Sequence, residues 1–216
     1  MNLDWLVRES GNIAVLLGWH LVLSLVPLVI GLVCSVPLGW IAHCSGALRS
    51  PLLGMAGLLY TIPSLAMFVL LPALLGTRIL DPANVVVALS VYTVALLVRT
   101  VDDGLGAIAP ETLQAADAMG YRQFLRFITV ELPVAVPVIT AGMRVAAVSN
   151  VSIVSVAALV GMPQLGALFT QGLQLHFITP IVVGIALCIL LAVALDGLVV
   201  FVGRWLTPWR PEGTRS

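Results

Sequence analysis

Residues 179–203 read TPIVVGIALCILLAVALDGLVVFVG, an apolar run whose single charged residue is Asp196. A helix crosses the hydrocarbon of a bilayer with about 20 predominantly apolar residues, so this stretch is read as a membrane span. The same reading, carried toward the N-terminus, finds four more spans at about 15–42, 52–75, 84–101 and 134–160. The spans at 15–42 and 134–160 are longer than a bilayer requires, which predicts tilting, kinking or projection beyond the membrane. Gly31, Pro27 and Pro37 supply bending points in the first. The expected fold class is therefore all-α integral membrane, with five spans in one transmembrane domain over 1–216.

Composition agrees. Hydrophobic residues make up 60% of the chain and charged residues 9%, against roughly a quarter charged in an ordinary soluble domain. The formal net charge is zero, with ten arginines, no lysine and ten acidic residues, so nothing points to nucleic acid. Cys34, Cys44 and Cys188 lack the paired spacing of metal or redox sites and read as buried small apolar side chains. His20, His43 and His176 stand apart from other ligand types in sequence and read as packing or interfacial residues, with no metal site expected. Trp5, Trp205 and Trp209 suit an aromatic belt. No basic leader precedes the first span, so no removable signal peptide is expected.

Five spans place the termini on opposite sides. With the N-terminus outside, the inside segments carry Arg49, Arg99, Arg122, Arg126, Arg204, Arg210 and Arg215, and the outside segments only Arg8 and Arg78. Positive residues are retained on the cytoplasmic side, which predicts an outer N-terminus and a cytoplasmic C-terminus. Loop 161–178, with Gly161, Pro163, Gly166 and Gly172, then lies outside and is apolar enough to dip into the membrane or cover a pathway.

The cytoplasmic segment 102–133 carries the most specific signal. Pro110 suits a first helical turn, and Leu113, Ala116 and Met119 recur at intervals of three to give one apolar face. Gly120 follows, where a left-handed turn is sterically free. Residues 121–131 place Tyr121, Phe124, Leu125 and Ile128 at the spacing of a second amphipathic helix, with Arg122, Gln123 and Arg126 on its other face. Leu132-Pro133 is expected to end it and open the fourth span. Two packed helices meeting at a glycine form a rigid knob able to pass a partner's motion into the spans.

The run Gln114-Ala115-Ala116-Asp117-Ala118-Met119-Gly120, followed by Glu131-Leu132-Pro133, resembles the EAA loop of binding-protein-dependent ABC importer permeases of the type I fold. The departure is Gln114 where that family carries Glu, which removes a charge but keeps a hydrogen-bonding group. The resemblance extends over nearly the whole chain, and Tyr60-Thr61-Ile62-Pro63-Ser64, Leu71-Pro72-Ala73, Val98-Arg99-Thr100 and Ala141-Gly142-Met143-Arg144 are most similar to the osmoprotectant permeases for glycine betaine, choline and carnitine. It implies a five-span permease in the bacterial cytoplasmic membrane, not itself an enzyme, with Gln114, Ala115, Ala116, Asp117, Gly120, Glu131 and Pro133 coupling it to an ATPase. The implied partners are a cytoplasmic ABC ATPase dimer that binds ATP and Mg, a second permease subunit, identical or paralogous, and an extracytoplasmic substrate-binding protein. No cofactor is expected in this chain, which lacks a G-x-x-x-x-G-K-[ST] phosphate loop. An amino-acid or other small-solute permease is the alternative cargo reading. A passive channel is the remote one, and an intramembrane hydrolase lacks a G-x-S-x-G nucleophile motif.

Within the spans, Arg144 has two readings. Intramembrane charges face the protein interior or water, so it either lines the translocation pathway or forms a structural ion pair, with Asp196 as the candidate partner. Ser149, Asn150, Ser152 and Ser155 place polar groups along the same span, where they either line a cavity or bond neighbouring helices.

Overall fold

A computed structural model describes residues 3–209, and among these every regular element is helical. Arg210 and Arg215, used in the orientation argument, lie outside the described residues. The long elements are α1 (Leu3–Cys44), α4 (Pro82–Gly106), α7 (Leu132–Val156) and α9 (Ile178–Leu206). Between α1 and α4 lie α2 (Gly46–Thr61) and α3 (Ser64–Leu75), and between α4 and α7 the short α5 (Pro110–Ala118) and α6 (Gln123–Arg126). The last short helix, α8 (Ala167–Gln174), precedes α9.

Four helices are long and apolar enough to span, and α2 with α3 supplies a fifth as a broken pair bent by 103°. The expected single span at 52–75 is thus corrected to two pieces. The cause is local. Pro63 has no amide hydrogen and biases Ile62 away from the helical region, and Ile62 sits at φ −66°, ψ 129°. The carbonyl of Ile62 that the break releases accepts the Tyr92 hydroxyl at 2.5 Å. α1 begins well before the expected residue 15, and at 42 residues it is roughly 63 Å long at 1.5 Å per residue, about twice the hydrocarbon thickness.

α4 is the centre of the bundle. It packs against α1, α2, α3 and α7, while α9 lies on the periphery against α7 and α8 with most of its surface outward. One apolar cluster, including Leu28, Leu97, Ala147, Val151 and Leu195, joins α1, α4, α7 and α9. A second, including Leu23, Phe68, Leu89, Tyr92 and Val154, holds the bent pair. A third, including Val101, Leu105, Phe127, Ala135 and Ile139, closes the end that carries α5 and α6. Lipid gives no hydrophobic drive between helices, so close backbone approach at small residues matters. At Gly142 an added Cβ would fall 2.5 Å from the Thr100 methyl carbon, so α7 meets α4 with no room for a side chain there.

Two further expectations change. Cys34 and Cys44 are exposed on the single chain rather than buried, and only Cys188 is partly covered. The loop 161–178 carries structure of its own: α8 lies within it, after a 3-10 turn at Ala157–Val160 that closes the preceding span, with Met162, Gln164 and Leu165 buried.

Candidate functional site

The segment that joins α4 to α7 folds around one arginine. Asp81 and Pro82 start α4 with a side-chain cap, Asp81 accepting from the Ala83 amide at 2.9 Å. At the other end α4 stops at Gly106, and Pro110 opens α5 in the first turn. α5 ends where Gly120 turns left-handed at φ 81°, and the Tyr121 amide donates back to the Ala116 carbonyl at 3.2 Å. This is a glycine-terminated helix end of the kind the spacing predicts. Ala116 is the buried contact of α5, whereas Gln114, Ala115 and Asp117 are exposed.

From Gln123 the chain is helical without interruption into α7. Residues Phe127–Glu131 form a π-helical turn, and Pro133 follows near the start of α7. The expected break at Leu132-Pro133 is therefore corrected: the wider turn, with its longer-range bonding, precedes a proline that would otherwise clash with the carbonyl four residues back. The structure also shows which way the two faces point. Phe127 and Glu131 turn inward, while Phe124, Leu125 and Ile128 point out. Trp40 of α1 stacks on Phe127 with ring centroids 4.9 Å apart and meets Phe124 edge-on at 5.9 Å.

Arg126 ties these pieces together. Its Nε donates to Glu131 Oε1 and its Nη1 to Asp117 Oδ1, each at 2.6 Å. Glu131 is buried, Asp117 is exposed, and one guanidinium thus joins α5 to the π-helical turn. From the sequence, Arg126 falls with Arg122 and Gln123 on the face opposite the apolar one. The signal for its clamp was the pair of carboxylates nine residues before and five residues after, a relation no single helix face displays.

At the base of α1, α2 and α4 a second polar cluster forms. Asp102 is fully buried and accepts from Arg49 Nε at 3.0 Å and contacts His43 Nδ1 at 3.3 Å. His43 was read as isolated because its carboxylate is 59 positions away.

The span residues separate by environment. Asn150 is buried and bonds across three helices: its Nδ2 donates to Thr93 Oγ1 at 3.1 Å and to the Ser24 carbonyl at 3.3 Å. His20, also buried, has ring nitrogens 3.0 Å from the Val151 carbonyl oxygen and 3.1 Å from Gln164 Oε1, which fastens the 161–178 loop to α1 and α7. Arg144 makes a two-pronged pair with Asp196, Nε to Oδ1 at 2.7 Å and Nη2 to Oδ2 at 2.9 Å. Ser149 lines a small crevice with Tyr60, Tyr92 and Thr93, Ser152 is exposed, and Ser155 bonds back to the Val151 carbonyl at 3.4 Å. No cluster of three metal-ligating side chains occurs among the described residues.

Residues 31–208 match the profile of a family described as the binding-protein-dependent transport system inner membrane component. The osmoprotectant import permease protein OsmW of Salmonella typhimurium is 33% identical over 211 residues, which is 96% of this chain and 97% of that one. The glycine betaine/carnitine/choline transport system permease protein OpuCB of Bacillus subtilis is 26% identical, over 99% and 97% of the two chains. Among solved structures, an inward-facing form of the MetNI methionine ABC transporter superposes with a TM-score of 0.83 at 18% identity, covering 93% of this chain and 98% of that chain. That likeness is one of fold.

Proposed function

The chain belongs to the family of binding-protein-dependent transport system inner membrane components, and from that premise we propose that it admits a quaternary-amine osmoprotectant, of the glycine betaine, choline or carnitine kind, to the cell. Support for that cargo comes from relatives whose names carry it, aligned over nearly the full length of both chains. ATP is bound and hydrolysed by a separate cytoplasmic ATPase dimer. An outer binding protein delivers the cargo, and a second permease subunit completes the pathway. The N-terminus lies outside and the C-terminus in the cytoplasm.

The observation that carries the coupling role is the outward apolar ridge of the α5–α6 segment. Met119, Phe124, Leu125 and Ile128 are 68%, 62%, 50% and 45% exposed, on a segment fixed to α7 by the Arg126 clamp. An apolar ridge of this kind beside exposed polar residues is what a protein partner covers. Gln114, exposed on α5, meets that partner without a charge, so docking rests on shape and apolar contact. Because helix continues from Gln123 into α7, a push on the ridge moves α7 as a body.

Gly120→Val tests this. Space around a Cβ at Gly120 is open, so the substitution acts through its positive φ, at a cost of about 1–3 kcal/mol in that turn. The expected result is membrane insertion as in the wild type, with loss of both betaine uptake and transport-coupled ATP hydrolysis. Undiminished uptake refutes the coupling role.

A further inference from the structure

A groove of about 380 Å³ runs between α2, α4 and α7, within the size range of small-molecule sites, and its lining includes Tyr60, Arg99, Thr100, Asp103 and Val145. Leu96, Arg99, Thr100 and Asp103 recur at the three- and four-residue spacing that puts them on one stripe of α4. Both Arg99 and Asp103 are exposed, and neither side chain has a hydrogen-bond or ion-pair partner among the described residues. This contrasts with their neighbours Arg49 and Asp102, which satisfy each other. Tyr60, 43% exposed, lines both this groove and the crevice that holds Ser149. Its ring is held edge-to-face against Tyr92 at 6.1 Å. A polar strip therefore runs from Ser149 past Tyr60 to Arg99 and Asp103.

We propose that this strip is a cargo-recognition site in the permease for a zwitterion carrying a carboxylate and an ammonium group. The Arg99 guanidinium receives the carboxylate through charge-assisted hydrogen bonds. Asp103, one helical turn from Arg99 on the same stripe of α4, receives the ammonium by charge, and Tyr60, on the other side of Arg99, offers a second resting place for it along the groove by cation–π attraction. One fixed cation and one fixed anion leave the strip neutral, so a neutral zwitterion enters with both poles matched. A cation without a carboxylate meets Arg99 as a like charge. The site rests on the quaternary-amine reading of the cargo and adds to it a preference between carboxylate-bearing amines and choline.

The test measures glycine betaine and choline uptake side by side in vesicles holding the whole transporter with its ATPase and binding protein. Since the binding protein is the same throughout, its own selectivity cancels from the change in ratio. Arg99→Gln is expected to lower the betaine-to-choline ratio about tenfold, the scale of one hydrogen bond to a charged group. Asp103→Asn leaves Arg99 unopposed and is expected to raise the ratio. Opposite shifts cannot arise from general damage to the fold. Two variants that move the ratio the same way, or leave it within about twofold of wild type, overturn the site. A wild-type transporter that carries choline alone overturns the site but keeps the cargo reading. A transporter that carries alanine and neither amine removes the cargo reading. The site then stands if Arg99→Gln depresses uptake of alanine more than that of its methyl ester, and falls if both change equally.

Discussion

Replacing Arg126 with Gln removes the one cation shared by Asp117 and Glu131, and the two carboxylates pay very different penalties. The Glu131 side chain is 5% exposed, Arg126 21% and Asp117 55%. Removing one partner of a buried pair costs about 3–5 kcal/mol, because the other charge stays buried and unpaired. With Arg126 itself partly open, the lower end applies, about 3 kcal/mol. The Asp117 arm is a surface pair, worth at most about 1 kcal/mol. A loss of about 3 kcal/mol is a roughly hundredfold rise in local opening. Amide hydrogen exchange over residues 110–131, measured on the assembled transporter, reads that opening directly. Arg126→Gln is expected to speed exchange there roughly a hundredfold and Asp117→Asn by less than about fivefold. Arg126→Met combined with Glu131→Leu removes both charges, and exchange is expected to return close to wild type. Equal effects from Arg126→Gln and Asp117→Asn, or a double variant as open as Arg126→Gln alone, would refute the view that buried Glu131 is what the clamp serves.

Two other outcomes follow from the spans. Arg144→Gln strands Asp196 on α9, so assembly of the permease is expected to fall, and Asp196→Asn in the same chain to restore it; both are measured by yield of intact complex, and absence of rescue would return Arg144 to the pathway reading. Tyr92→Phe leaves the Ile62 carbonyl without its hydroxyl donor at a cost of about 1 kcal/mol, and spin labels at positions 55 and 70 should report a broadened distance between α2 and α3. An unchanged distribution would mean that Pro63 alone holds the bend.

Much of the architecture was legible because its signals are local. The 20-residue scale of a span, the proline that opens α5 and the glycine that closes it each act within a few residues, and each is where the sequence indicates. The bend at Ile62-Pro63 was not recovered from the same rules, since an apolar run stays apolar on both sides of a corner and the Tyr92 hydroxyl that satisfies it comes from another helix. Which face of the segment after Gly120 turns inward was not legible for a related reason. Spacing groups Phe124, Leu125 and Ile128 on one face and says nothing of whether that face meets the bundle or the outside; it is Phe127 and Glu131, in the π-helical turn, that turn inward. The clamps at Arg126 and Asp102 join residues that periodicity treats as unrelated. Arg144 and Asp196 were visible as a pair only because membrane spans hold so few charges.

The corner between α2 and α3 bears on how the chain is made. At 16 and 12 residues, the two pieces are roughly 24 and 18 Å long, and neither reaches across about 30 Å of hydrocarbon by itself. Neither half can therefore leave the insertion machinery as a stable, independent transmembrane helix. Both wait for α4, which emerges later from the ribosome and carries Leu89 and Tyr92, the residues against which Phe68 and Leu71 settle. Biogenesis is therefore expected to place α1 and α4 first, as the lodging into which the bent pair is folded.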